Sequence, residues 1–150
     1  RATGVRMPFK LFKPKNSIIR IGVVGSRRRN SLEDFGPLRE AIKAKLEKYG
    51  YDKVQLVSGG CREGAGHFTE QIHKKLALPL PMIIHYPDKT KLNPTLPPRI
   101  SWAEINYVRN TLIAQDSDEL LAMVTEDRKG GTEDTIKKFR RIKRREPELL

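Results

Sequence analysis

The sequence predicts an α/β fold: a three-layer sandwich in which a mostly parallel sheet of four or more strands is covered by helices on both faces. Three observations carry this reading. Short apolar runs rich in isoleucine and valine alternate with segments of helical period. The strand-helix alternation repeats four times, and within one sheet that order gives parallel strands joined by right-handed crossovers. Three of the apolar runs end in glycine turns: Gly25-Ser26-Arg27, Ser58-Gly59-Gly60 continuing to Gly64, and Gly130-Gly131-Thr132. Glycine between a strand and a helix lets the backbone approach a ligand closely, with the N–H groups of the helix start pointing at it. Three such turns at one edge of a parallel sheet would converge on a crevice suited to an anion.

Residues 1–16 hold Pro8, Pro14 and scattered cations without periodicity, and read as a basic N-terminal arm ahead of a single domain over 17–150. Ser17 to Val24 has the composition of a buried strand. Ser31 with Asp34 three positions later resembles a capping box, and Leu38, Ile42, Leu46 and Tyr49 then trace one helical face to Gly50. A second strand is expected over Val54 to Val57 and a second helix over Gly64 to Leu76, with Phe68, Ile72 and Leu76 in register. Pro81 to Tyr86 reads as the third strand. The proline-rich connection from Pro87 to Arg99 is long enough to suggest a lid or binding loop. The third helix is expected from about Ser101 to Gln115, with Ile105, Val108 and Leu112 inward, and the fourth strand over Glu119 to Val124. Thr132 opens the last helix, where Ile136, Phe139 and Ile142 share a face, and the domain is expected to end in that basic helix.

At 150 residues the chain is the size of one domain with a real core. It has no apolar stretch near the roughly 20 residues of a membrane helix and no signal-peptide pattern, so no membrane partner is expected. Its single cysteine, Cys61, excludes an internal disulfide framework and leads us to expect a reducing, cytoplasmic setting. The sequence starts at Arg1 rather than methionine, so an earlier start is expected. The formal net charge of +12 resides at the ends: residues 1–20 carry six basic and no acidic side chains, and residues 137–150 carry seven basic and two acidic ones. The run from Lys137 to Arg145 reads either as a solvated helix end whose cations complement the dipole or as a surface for nucleic acid.

The segments VGSRR (Val24 to Arg28), SGGCREGAGHF (Ser58 to Phe68), Tyr86-Pro87, RNTLIAQDSD (Arg109 to Asp118) and GGTEDTI (Gly130 to Ile136) resemble, in order and spacing, the SLOG superfamily. That Rossmann-like group includes DprA, the Lonely Guy phosphoribohydrolases and small YspA-like nucleotide sensors, and the layout is closest to the last. The resemblance covers about residues 17–143. It implies a Rossmann-like fold, a nucleotide or nucleotide-derived ligand with no required cofactor, and a homodimer.

Residue chemistry supports a ligand bearing phosphate and sugar. Gly130, Gly131 and Thr132 at a helix start offer N–H donors, a positive dipole end and a hydroxyl, and the resemblance places a phosphate there. Gly25, Ser26 and Arg27 would floor the pocket; Arg27 can meet phosphate bidentately, while Arg28 and Arg29 are expected to face solvent. Ser58, Gly59, Gly60 and Gly64 would let the backbone approach a sugar or base. Arg109 and Asn110 lie on the third helix, where the resemblance implies an arginine at the pocket rim; the alternative for Arg109 is a surface salt bridge to Glu104 or Asp116.

Two departures matter. Many relatives carry aspartate where this chain has Gly66, and the Lonely Guy enzymes carry a catalytic glutamate where it has Thr135. Cleavage of an N-glycosidic bond through an oxocarbenium-like transition state calls for a carboxylate at the anomeric carbon. Arg109, Glu63, Glu133 and Asp134 are the remaining catalytic candidates, and their spacing gives no positive reason for that role. Sensor or carrier binding is therefore the leading expectation. A nucleoside-monophosphate N-glycosidase and DprA-like single-stranded nucleic-acid binding are the alternatives. His67, His73 and His85 lack metal-site spacing, and no metal is expected. Cys61 reads as a small loop residue and Trp102 as a core or interface anchor.

Overall fold

The computed structural model describes residues 17–150; the arm over 1–16 lies outside the described residues. The elements run β1 (Ile19–Gly25), α1 (Leu32–Tyr49), β2 (Val54–Ser58), α2 (Ala65–Lys75), β3 (Ile83–Ile84), α3 (Pro98–Asp116), β4 (Glu119–Met123), α4 (Gly131–Lys143) and β5 (Glu148–Leu149), with a short 3-10 turn at Lys89–Lys91. All five strands are parallel, in the order β3-β2-β1-β4-β5. The fold is α/β, with the Rossmann-like three-layer arrangement. Among the described residues no helix is long and apolar enough to cross a membrane.

Alternation along β1 explains the layers. Val23 points to one face, where it joins Leu38, Ile42 and Leu46 of α1 and Phe68 and Ile72 of α2. Val24 points to the other, against Ile113 of α3 and Ile136 and Phe139 of α4. Each fully buried leucine or isoleucine contributes about 1.5–3 kcal/mol through removal of apolar surface from water. The box at the start of α1 forms as the sequence predicts: Ser31 Oγ accepts from the Asp34 amide at 3.3 Å and Asp34 Oδ2 accepts from the Ser31 amide at 3.2 Å.

Four expectations need correction. The chain does not end in a helix: after α4, β5 pairs with β4 through Leu121–Glu148 and Ala122–Leu149, and the Leu150 amide donates to the Ala122 carbonyl at 2.8 Å. The third strand is only two residues long, although the His85 amide extends its ladder to Ser58 O at 2.9 Å. On α3, Ile105 is buried but Val108 and Leu112 are 64% and 40% exposed. The inward face instead runs through Ser101, Ile105, Asn110, Ile113 and Ala114, so two polar residues displace the apolar period by about one position. Trp102 is exposed rather than a core residue.

This topology positions the site. From β1 the chain winds outward through β2 to β3, and α3 then carries it back across the sheet to β4, so the winding direction reverses between β1 and β4. Loops at the carboxyl ends of two strands that diverge in this way leave a crevice between them. The turns after β1 and β4 are Gly25-Ser26-Arg27 and Thr125 to Gly130.

Candidate functional site

A cavity of about 440 Å³ opens at this reversal. Its walls are the β1 turn (Gly25, Ser26, Arg27), Gly59 and Cys61 after β2, the α3 residues Asn106, Tyr107, Arg109 and Asn110, and Lys129 to Thr132. Val23, Val24, Ile113 and Thr135 contribute to the lining beneath. Three cations, Arg27, Arg109 and Lys129, line it, and among the described residues no aspartate or glutamate does.

The N-terminus of α4 opens onto this cavity. Gly130 caps it at φ 113°, a backbone region an L side chain rarely enters, and no side chain bonds across the cap. Among the described residues no side chain accepts from the first-turn amides, and the helix dipole adds positive potential. Thr132 is 7% exposed and lines the cavity; its hydroxyl has no hydrogen-bond partner among the described residues and is not itself a buried atom, so it keeps access to the cavity's solvent. The two carboxylates of this turn are drawn aside. Glu133 receives two bonds from Arg128, at 2.7 and 2.9 Å. Asp134 is held by Lys138 at 2.9 Å and by the Asn110 amide at 3.2 Å.

Among the described residues Arg109 makes no salt bridge; Asp116 is instead taken by His85 at 2.6 Å. The guanidinium is half-buried and donates to Gly59 O at 2.6 Å, Asn110 Oδ1 at 2.9 Å and Asn106 Oδ1 at 3.2 Å. Gly59 is required for this approach: a Cβ there would stand 2.5 Å from Arg109 Nη1. Burial first, and then repulsion from Arg27, push the Arg109 pKa below the usual arginine value, while the facing Cys61 sulfur opposes the shift. Asn110, only 4% exposed, links Arg109 to the start of α4, because its Nδ2 also reaches Gly131 O at 3.4 Å.

Of the residues predicted from sequence, Gly25, Ser26, Arg27, Gly59, Arg109, Asn110, Gly130, Gly131 and Thr132 meet in this cavity. Ser58, Gly60 and Gly64 do not line it. Ser58 is fully buried and its Oγ accepts from the Gly60 amide at 3.4 Å. Gly60 leaves room for the Tyr86 ring, 2.4 Å from where a Cβ would sit. The Gly64 amide is bound by Asn30 Oδ1 at 2.7 Å, joining the first and second turns. Glu63 is exposed and outside the lining, and Glu133 and Asp134 are outside it too. Arg29, expected in solvent, is half-buried and ties Asp34 to the carbonyls of Val124 and Leu150.

Sequence reasoning missed Lys129, Asn106 and Tyr107 and treated Cys61 as incidental. Lys129 had a local signal, its place just before Gly130-Gly131-Thr132; the others are brought in by α3 packing and by the close contact of Gly66 with Cys61. Among the described residues no three His, Cys, Asp or Glu side chains group as metal ligands. No family model, curated protein or solved structure matches the chain.

Proposed function

We propose that this chain binds a nucleotide or nucleotide-derived ligand through its phosphate, as a sensor or carrier, in the manner the SLOG resemblance implies. The observation that carries the reading is the combination of a polar helix N-terminus, an unpartnered Thr132 hydroxyl and three cations in a cavity without a carboxylate. A phosphate dianion suits that arrangement, because it accepts from backbone amides and neutralises cations, of which Arg27 and Arg109 repel one another. The volume falls in the roughly 300–1,000 Å³ range of small-molecule sites, and the apolar side chains of Val24, Ile113 and Tyr107 suit a base or sugar.

Binding without cleavage fits the same lining. Thr135, 1% exposed, stands where the Lonely Guy enzymes carry their glutamate, and its hydroxyl is turned to Gly131 O at 3.4 Å. Among the described residues no carboxylate lines the cavity to stabilise an oxocarbenium centre. The test is a panel of nucleoside monophosphates and ADP-ribose-type compounds followed by calorimetry, thermal melting and mass spectrometry of any compound released on denaturation. At least one nucleotide is expected to raise the melting temperature without release of free base. Failure of every nucleotide to bind overturns the binding reading, and base release overturns the assignment as a non-hydrolytic binder.

A further inference from the structure

The cavity also holds the chain's single cysteine. Cys61 is partly exposed on the turn after β2. It packs against the first turn of α2 because position 66 is glycine: a Cβ there would lie 3.0 Å from the Cys61 amide nitrogen and 3.2 Å from its Cβ. The Arg109 guanidinium, bound to the Gly59 carbonyl two residues before Cys61, lines the same cavity as the sulfur. Independently, Thr132 lines the same space: the residue is more than nine-tenths buried, and its hydroxyl, unpartnered among the described residues, keeps solvent access within the cavity. The cavity is thus furnished for an incoming anion and has a nucleophile in its wall.

We propose that Cys61 is a covalent modification site for small disulfides that carry carboxylates, recruited by Arg27, Arg109 and Lys129. The step is thiol–disulfide exchange. The Cys61 thiol first gives its proton to water and the thiolate attacks one sulfur of the incoming disulfide; a new sulfur–sulfur bond to the protein forms as the reagent's own breaks, and the departing sulfur leaves with the electron pair as a thiolate, recovering a proton from solvent only where it is basic enough to do so. Cys61 is oxidised and the small disulfide is reduced, so no further co-reactant is needed. Selectivity arises from the reagent's charge, since a cleft lined by one sign of charge raises the local concentration of opposite ions by roughly 10 to 10³. The added group takes up cavity volume and excludes an anionic ligand. That consequence rests on the nucleotide-binding reading; the charge selectivity does not.

The full chain is treated at low salt with dithiobis(nitrobenzoate), which bears two carboxylates, and with neutral dithiodipyridine, each followed by absorbance of the released thiol. The ratio of the anionic to the neutral rate constant is expected to be about tenfold or more higher for the folded protein than for the urea-unfolded chain. It should fall toward the unfolded value as added salt shortens the Debye length. A folded-state ratio no higher than that of the unfolded chain overturns the proposal. Arg27→Ala combined with Lys129→Ala changes two exposed side chains; shown by melting to be folded, this variant is expected to lose most of the selectivity, and an unchanged ratio also overturns the proposal. Neither measurement contains a nucleotide, so a protein that binds nucleotides but shows no charge selectivity loses the Cys61 proposal alone, and the reverse result loses the nucleotide reading alone.

Discussion

Arg28 and Asp127, 99 residues apart in sequence, form a two-armed ion pair with N–O distances of 2.9 and 2.8 Å. The same arginine reaches Thr125 Oγ1 at 3.1 Å and Lys129 O at 3.3 Å, and Asp127 receives the Lys129 amide at 3.2 Å. The turn after β1 is thereby clipped to the turn after β4, across the point where the winding reverses. The bonds from Arg28, followed by those from Thr125, hold the Asp127 carboxyl far below its ordinary pKa, so the clip stays charged well into mild acid.

Because both partners are exposed, the clip shapes the loops more than it stabilises the fold. Asp127→Ala should leave the melting temperature within a few degrees of the parent while weakening nucleotide affinity several-fold, since Lys129 and Gly130 lose their anchor. Calorimetric titration beside a thermal melt measures both; unchanged affinity in a folded variant would show that the loop holds its shape without Asp127.

Gly59 offers a sharper probe of Arg109. In Gly59→Ala the new methyl would meet Arg109 Nη1 at 2.5 Å and Ile113 Cδ1 at 3.2 Å. The guanidinium must leave its place on the Gly59 carbonyl, and the expected result is a loss of about tenfold in affinity with Arg109 itself intact. Asn110→Ala acts from the other side, leaving Arg109 Nε and Asp134 short of a partner. A buried polar group stranded in this way costs about 1–3 kcal/mol, so that variant should lose both stability and affinity. A urea titration separates the two effects.

The readable parts of this molecule are those governed by local chemistry. Ser31 and Asp34 cap α1, and Gly130, Gly131 and Thr132 open α4, because caps and glycine turns are decided within a few residues. β5 was not readable, because Glu148 and Leu149 form a strand only where β4 offers a ladder. The inward face of α3 was misread because Asn110 is buried for its hydrogen bonds rather than its hydrophobicity. Arg27 and Arg28 are adjacent in sequence, yet one lines the cavity and the other pins a loop. That division depends on where Asp127 arrives, which only the tertiary fold determines.

The basic C-terminal run is largely structural, which constrains how any role in nucleic-acid binding can be tested. Lys138 is bound to Asp134 and to the Tyr107 carbonyl, Arg140 to Glu146, and Arg145 to the Asp118 carbonyl. Deleting residues 137–150 would remove the fully buried Phe139 and all of β5. Loss of such a phenylalanine alone costs about 3–5 kcal/mol, so the truncated chain should show no cooperative melt. Lys137, Arg141 and Arg144 are exposed. Replacing all three with alanine should preserve the fold and mononucleotide affinity, and gel-shift assays over a salt series would then reveal whether these cations hold single-stranded nucleic acid. A drop in mononucleotide affinity would place the basic run in the ligand site, contrary to expectation.

At the opposite edge of the sheet, Glu119 accepts from the Tyr49 hydroxyl and from Lys45 at 2.6 Å, with Arg145 at 4.0 Å. Burial alone would raise the Glu119 pKa, but the bonds from Lys45 and Tyr49 and the neighbouring positive charges outweigh it and hold the carboxyl below its usual value. A depressed carboxylate contributes stability above its unfolded pKa, and this contribution is lost as the pH falls through the folded one. Tyr49 runs the other way: burial, then the bond and negative charge of Glu119, raise its pKa to about 12 from 10.0. The native state therefore keeps this proton after the unfolded chain has lost it, so the tyrosine's contribution is complete below pH 10 and declines between pH 10 and about 12. Tyr49→Phe should cost about 1 kcal/mol at neutral pH through the lost bond to a charged acceptor, discounted for partial exposure. The gap between parent and variant should then narrow as the pH passes 10, while titrating lysines affect both proteins alike. Urea midpoints taken across that range test the sign directly: a gap that widened with alkali would mean that Tyr49 ionises more easily in the folded protein, and that the Glu119 pairing is not what holds its proton.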